Sequence, residues 1–255
     1  MPALLSLIGV TKRFRRGLRE TTVLQEVSLE VRRGDFVGVL GGRREGKSTL
    51  LKIAAGIMAP DSGRVVFDGR DLASAGGRER DRLRRSAIGL VGGRSAAVDH
   101  GGRVLDHVAL PLMSDGATVR QARRAAAETL ARVGATEYVY ADVRHLSESE
   151  QLRVALAQAC VRSPRLLVVD ELTDTLDLND RNTMLGFLQS FAADDDIAIV
   201  MTAADAHGTV GCSRVVLLSG GRLRDPERLR DRGPEPPGAG DVIPLWSRDD
   251  GAEAG

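Results

Sequence analysis

The stretch Gly41-Gly42-Arg43-Arg44-Glu45-Gly46-Lys47-Ser48-Thr49-Leu50-Leu51 decides the fold of this chain. Gly41 with Gly46, Lys47 and Ser48 satisfies the pattern G-x-x-x-x-G-K-[ST], in which backbone N–H groups cradle phosphate oxygens. Its context fits that reading. The apolar run Phe36–Leu40 precedes it as a buried strand, and "TLLKIAAGI" follows it as a helical run. A helix starting at such a loop aims its positive end at an anion. Lys47 is then placed to reach β- and γ-phosphates, and Ser48 to offer a hydroxyl to magnesium. The middle of the loop is unusual, because Arg43, Arg44 and Glu45 stand where such loops carry small residues.

Outward from the loop, short apolar runs recur at Phe36–Leu40, Ile88–Val91, Leu166–Val169, Ile197–Met201 and Val215–Leu218. Val, Ile and Leu on consecutive positions predict strands buried on both faces, hence an α/β fold with a parallel sheet flanked by helices. "RVLDHVALPL" and "TVRQARRAAAETLARVGA" carry helical spacing, the second closing on Gly134 as a C-cap, so a helical subdomain is expected over about 92–162. Ahead of the loop, "LLSLIGVTKRF" and "TTVLQEVSLEV" alternate apolar and polar residues, with a turn at Arg33-Gly34-Asp35; these predict antiparallel strands beside the main sheet. Residues 226–255, rich in Pro, Gly and charge, predict a flexible tail holding one apolar island, "DVIPLW".

Composition narrows the partners. The chain has 255 residues, enough for one large domain, and its 36 basic against 35 acidic residues leave a net charge of +1, which implies no nucleic-acid partner. Arg78, Arg80, Arg82, Arg84 and Arg85 cluster as a solvated helix face, to which no ligand is assigned. Cys160 and Cys212 lie far apart without metal-type spacing, as expected of two ordinary buried side chains in a reducing compartment. No apolar stretch has the length to cross a bilayer, and "MPALLSLIGV" lacks a basic leader region. A cytoplasmic location follows as the expectation, with another chain supplying any membrane anchor.

"RLLVVDE" places Asp170 and Glu171 at the exit of a second buried strand. Beside a phosphate loop, such a pair supplies a magnesium ligand, Asp170, and a candidate general base, Glu171.

With these segments in order, the chain resembles the ATP-binding subunits of ABC transporters from about Leu5 to Leu223. The resemblance runs through "VTKRF", the phosphate loop, "IGLVGG", "VLDHVALPL", "HLSESEQLRVALAQACVRSPRLLVVDELTDTLD", "IAIVMTAADA" and "RVVLLSGGRL". "VLDHVALPL" looks most like the branch that serves lipoprotein-release and macrolide-export permeases. The resemblance implies a P-loop NTPase domain over about 1–225. Its parallel, RecA-like sheet carries an N-terminal antiparallel β subdomain and the inserted helical subdomain. It implies ATP and Mg2+ as cofactors and a membrane permease as partner, with the chain peripheral on the cytoplasmic face. It also implies a homo- or heterodimer sandwiching two nucleotides. Residue by residue, Phe14 matches the aromatic that stacks on adenine, and Gly41 to Thr49 match the phosphate-binding loop. Ser147, Glu148 and Ser149 fall in the signature that approaches the partner's γ-phosphate, and Asp177 matches the aspartate at the dimer interface.

Five departures from the family pattern bear on what the resemblance implies about activity. The signature LSGGQ or LSGGEQ is here Leu146-Ser147-Glu148-Ser149-Glu150-Gln151, with acid and hydroxyl in place of glycines. Ser147 and Glu150 still form an S-x-x-E capping box. Glu148, at about 6 Å from phosphate and an effective dielectric of about 20, would cost on the order of 3 kcal/mol per unit charge, around a hundredfold in affinity. Gly93 stands where the family carries a glutamine that contacts magnesium and water and senses the transport partner, and Ala203 where it carries a histidine that contacts the γ-phosphate. His207, four positions on, is expected on the surface. Arg44 replaces a loop glycine, which implies strain if φ is positive, or added attraction for the triphosphate; sequence leaves both open. Leu172 replaces a proline that makes no phosphate contact.

Two functional readings follow. One is an ATPase subunit that couples slow hydrolysis to a separate permease. The other is a regulatory subunit that binds nucleotide, barely hydrolyses it and pairs with an intact partner.

Overall fold

The computed structural model describes residues 2–17, 19–72, 76–92, 101–172 and 176–225. In chain order the strands and helices begin with β1 (Leu5–Arg16), β2 (Arg19–Val31), β3 (Phe36–Leu40), α1 (Lys47–Ala54), β4 (Ser62–Phe67) and β5 (Arg70–Asp71). They continue with α2 (Gly77–Ala87), β6 (Ile88–Gly92), α3 (Val104–Ser114), α4 (Val119–Arg132) and α5 (Glu148–Cys160). The last are β7 (Leu166–Asp170), α6 (Leu178–Asp195), β8 (Ala198–Ala203), β9 (Arg214–Ser219) and β10 (Arg222–Arg224).

Two sheets form. The larger has the order β10-β9-β3-β8-β7-β6, parallel from β9 through β6, with β10 turned back antiparallel on β9. The smaller is antiparallel, β2-β1-β4-β5.

The two-residue period of a strand explains why the sheet needs cover on both faces. Val37, Val39, Leu166, Val168, Ala198 and Val200 face one core, with Leu50, Leu51 and Ile53 of α1 and the buried residues of β1, β2 and β4. Their neighbours Phe36, Leu167, Val169, Ile199 and Met201 face the other, with α3, α4, α5 and α6. Consecutive apolar residues in the sequence therefore serve two different layers.

Several expectations need correction. β8 is Ala198–Ala203 rather than Ile197–Met201, because Thr202 and Ala203 continue the pairing with Val39 and Leu40 of β3. β4 and β5, which follow the phosphate loop in sequence, complete the antiparallel sheet and were missing from the sequence reading. Gly63 explains part of the miss: a Cβ there would clash with the Gly9 carbonyl, so the second residue of the strand is one of low β-propensity that close packing requires. Cys160 is buried, but Cys212 is only half-buried. Burial pushes both thiols up to about 12, so neither presents a reactive thiolate near neutral pH. The arginine-rich segment does form a helix, α2, and buries only Ala87. The segment 226–255 and Gly93 lie outside the described residues.

The capping box at Ser147 is formed. The Ser147 hydroxyl accepts from the Glu150 N–H at 3.3 Å, and the Glu150 carboxylate accepts from the Ser147 N–H at 2.8 Å. Ser147→Ala should lower stability by about 1 kcal/mol, read as a fall in the urea midpoint at constant slope. An unchanged midpoint would mean that α5 does not depend on this cap.

Candidate functional site

Ligands of open parallel sheets sit at the carboxyl ends of the strands, and the predicted groups converge there. β8 lies between β3 and β7, so the loop leaving β3 and the carboxylates leaving β7 flank the end of β8. The loop returns directly into α1, whose N-cap is Gly46 at φ 100°. Only glycine adopts that φ readily, and it brings no side chain to cover the first-turn N–H groups. Space confirms the requirement: a Cβ on Gly46 would lie 2.9 Å from the Val23 carbonyl, and one on Gly41 would lie 2.7 Å from the Leu218 carbonyl.

Lys47 is only 3% exposed and curls back under the loop. Its Nζ donates to the Gly41 carbonyl at 2.6 Å and to the Gly42 carbonyl at 3.3 Å. It also pairs with Glu171 Oε1 at 3.1 Å, the direct contact between the phosphate loop and the candidate base. Ser48 and Thr49 follow in the first turn of α1, partly buried. Gly42, Arg43 and Arg44 are exposed.

Arg44 has φ 68°, the left-handed conformation its family glycine would take without cost. The strain anticipated from sequence is therefore present. A left-handed non-glycine residue costs about 1–2 kcal/mol, offset in part by the larger chain entropy that glycine loses on folding. Arg44→Gly should accordingly raise stability by up to about 1 kcal/mol, read as an upward shift of the urea midpoint. A downward shift would show that this φ carries no strain.

Asp170 ends β7 and Glu171 begins the turn after it, at φ 49°. Both are held by Thr202, a residue that sequence reading missed. The Thr202 hydroxyl donates to Asp170 Oδ1 at 2.8 Å and accepts from the Glu171 N–H at 3.0 Å. Its signal was a hydroxyl at the end of an otherwise apolar run, in a strand inserted between the two motif-bearing strands.

The donor set suits a hard cation and a polyphosphate. Ser48 supplies a hydroxyl oxygen, Asp170 a carboxylate, and the loop an ammonium and helix N–H groups. α1 packs against β7, which relates the two oxygen donors.

The remaining predicted residues stand on other elements. Phe14 is 41% exposed on β1, with the Lys12 ammonium 5.7 Å from its ring centroid. Its strand is fastened by Asp61, which accepts from Lys12 Nζ at 2.9 Å and from the Arg13 N–H at 2.6 Å. These bonds, chiefly the one from Lys12, hold the Asp61 carboxyl below its ordinary range. Ser147 caps α5; Glu148 is exposed and Ser149 half-buried in its first turn. Asp177 caps α6, accepting from the Asp180 N–H at 2.9 Å. Ala203 is fully buried, and its carbonyl accepts from the Gly41 N–H at 3.2 Å. His207 is exposed in a short 3-10 turn, and Leu172 is buried.

Comparison with known proteins follows the same lines. The family model described as ABC transporter matches residues 24–174. A lipoprotein-releasing system ATP-binding protein LolD of Chromohalobacter salexigens is 33% identical over 217 residues, covering 85% of this chain and 91% of that protein. A macrolide export ATP-binding/permease protein MacB of Azoarcus sp. is 31% identical over 251 residues, covering 98% of this chain; the chain spans only 38% of that relative's length. Among solved structures, the dimeric MJ0796, a bacterial ABC transporter cassette, aligns with a TM-score of 0.80 at 25% identity, covering 86% of this chain and 96% of that one. Motif order, sheet topology and these matches agree: the chain belongs to the ABC transporter family, as one of its ATP-binding cassettes.

Proposed function

We propose that this chain is the ATPase subunit of a transporter, coupling ATP binding and slow hydrolysis to a separate membrane permease. The observation that carries the reading is the meeting of Lys47 and Glu171 at 3.1 Å, with Asp170 beside them and the Gly46-initiated helix behind. In this reading residues 1–225 are the ATP-binding domain, with a helical subdomain at about 92–162. In the same reading it works at the cytoplasmic face of the membrane; among the described residues no helix is long and apolar enough to cross one. The dimeric cassette MJ0796 supports a pair of subunits; in this reading they are like or unlike chains, with Ser147 and Asp177 at their interface.

Within one subunit the reading assigns the following roles. Phe14 offers an exposed ring to the adenine, and the loop N–H groups with Lys47 grip the phosphates. Ser48 and Asp170 would hold magnesium, which supplies neutralisation of the developing phosphate charge. Thr202 fixes the Asp170 carboxylate and the Glu171 backbone on either side of one hydroxyl. Lys47 must exchange the Glu171 carboxylate for phosphate oxygens, and Glu171 is then freed to orient a water and take its proton.

Slow turnover is favoured by Ala203, whose methyl group has no proton or hydrogen bond to offer at the γ-phosphate. A second reading, a nucleotide-binding regulatory subunit beside an intact partner, is favoured by the start of α5. That first turn carries Glu148 and Glu150, and the Glu150 carboxylate already takes the Ser147 N–H and hydroxyl. Acids there complement the helix dipole internally and disfavour a second anion.

Single-turnover hydrolysis of magnesium ATP by the purified chain, with binding measured in parallel, tests the choice. Turnover above the level of Glu171→Gln supports the ATPase. Binding with turnover no faster than that variant supports the regulatory subunit.

A further inference from the structure

Glu45 is an acid inside a loop built for a polyanion, and its surroundings give it a use. The carboxylate does not extend toward solvent with its neighbours Arg43 and Arg44. Its Oε2 accepts from the Gly220 N–H at 2.7 Å, across 175 residues of sequence. The side chain folds back along the loop, so that a Cβ on Gly42 would lie 3.7 Å from Glu45 Cγ.

Gly220 and Gly221, at φ 56° and 73°, form the turn between β9 and β10. The Gly221 carbonyl accepts from the Gln25 N–H at 2.7 Å, which fastens the turn to β2. Arg222 Nε adds a bond to Gln25 Oε1 at 3.1 Å. The same two elements press on the ends of the loop, Leu218 of β9 against Gly41 and Val23 of β2 against Gly46. The loop is thus held at both ends by steric contact, from beneath by the Lys47 bonds to the Gly41 and Gly42 carbonyls, and beside its helical end by the charge-assisted bond between Glu45 and the Gly220 N–H.

We propose that Glu45 is a positioning residue of the phosphate loop, hooking it to the β9–β10 turn so that its N–H groups and Lys47 keep their aim at phosphate. The proposal rests on the nucleotide-binding reading above. It assigns Glu45 a role opposite in sign to its charge: the carboxylate aids binding of an anion because it is turned to a backbone donor and fixes the strained segment that includes Arg44.

The test uses the full chain with Glu45→Ala and Glu45→Gln, and Lys47→Ala as control. Two quantities are read: amide exchange at Gly220 without added nucleotide, and the Kd for a fluorescent ATP analogue with magnesium. Glu45→Ala should speed Gly220 exchange about tenfold and weaken binding about tenfold, as for loss of a hydrogen bond to a charged group. Glu45→Gln, which keeps an acceptor without the charge, should recover most of both losses. Thermal melts of the variants, expected close to the parent, separate a loosened loop from a damaged fold. Binding by Glu45→Ala as tight as or tighter than the parent overturns the proposal and leaves the nucleotide reading standing. A parent that binds no better than Lys47→Ala overturns both.

Discussion

Lys47→Ala should weaken binding of magnesium ATP by about a hundredfold or more while leaving the fold intact. The ammonium is buried under the loop and is held by two loop carbonyls and the Glu171 carboxylate. A triphosphate that takes over this ammonium gains a charge-assisted contact of about 1.5–3 kcal/mol. Deleting it also leaves Glu171 facing the phosphates without its counter-charge, a like-charge cost of a further ~1–3 kcal/mol at an effective dielectric near 20. Together these give two orders of magnitude or more in Kd. Stability should move by no more than about 1 kcal/mol, since Glu171 is 44% exposed and rehydrates when unpaired. Alanine is also a good residue for the first position of α1. Titration of the labelled nucleotide, with a thermal melt of each protein, separates the two effects. A Kd within threefold of the parent would remove Lys47 from the binding machinery.

Much of this arrangement was legible before any coordinates. The runs at Phe36–Leu40 and Leu166–Val169 announced buried strands because neither face carries a polar residue, and the structure places those residues in the two cores. The loop pattern, read with the strand before it and the helix after it, placed Lys47 at the start of α1. Less legible were features that depend on three-dimensional neighbours. Thr202 lay just past the run Ile197–Met201 and drew no reading, yet it is the buried hydroxyl that holds Asp170 and the Glu171 N–H together. Glu45 stood out as a residue too large for its loop position, whereas its bond to Gly220 joins segments remote in sequence. Whether Arg44 is strained turned on one backbone angle, φ 68°. A non-glycine residue does not by itself report φ at a loop position, since surrounding contacts can hold it at a strained positive φ.

Glu171→Gln should produce two effects of opposite sign, which is what makes it the most informative single substitution. Hydrolysis should fall by about a hundredfold or more, the loss expected when a general base is replaced by a neutral amide of the same shape. Binding of magnesium ATP should instead tighten by about three- to tenfold. The Lys47–Glu171 pair at 3.1 Å competes with the triphosphate for the same ammonium, and a glutamine is a weaker competitor than a carboxylate. Glutamine keeps the length of the side chain and the backbone N–H bond to Thr202, so the left-handed turn at φ 49° is retained and neither change can be attributed to unfolding. Single-turnover hydrolysis and equilibrium binding on the same preparation read the two signs separately. Hydrolysis unchanged with binding tightened would keep Glu171 as a partner of Lys47 and strip it of the base role. Binding weakened would mean that the carboxylate assists the nucleotide rather than competing with it, through magnesium or water. A parent already as slow as the variant, with the binding gain intact, would assign the cassette to nucleotide sensing and direct the search toward a partner chain that supplies the hydrolysis.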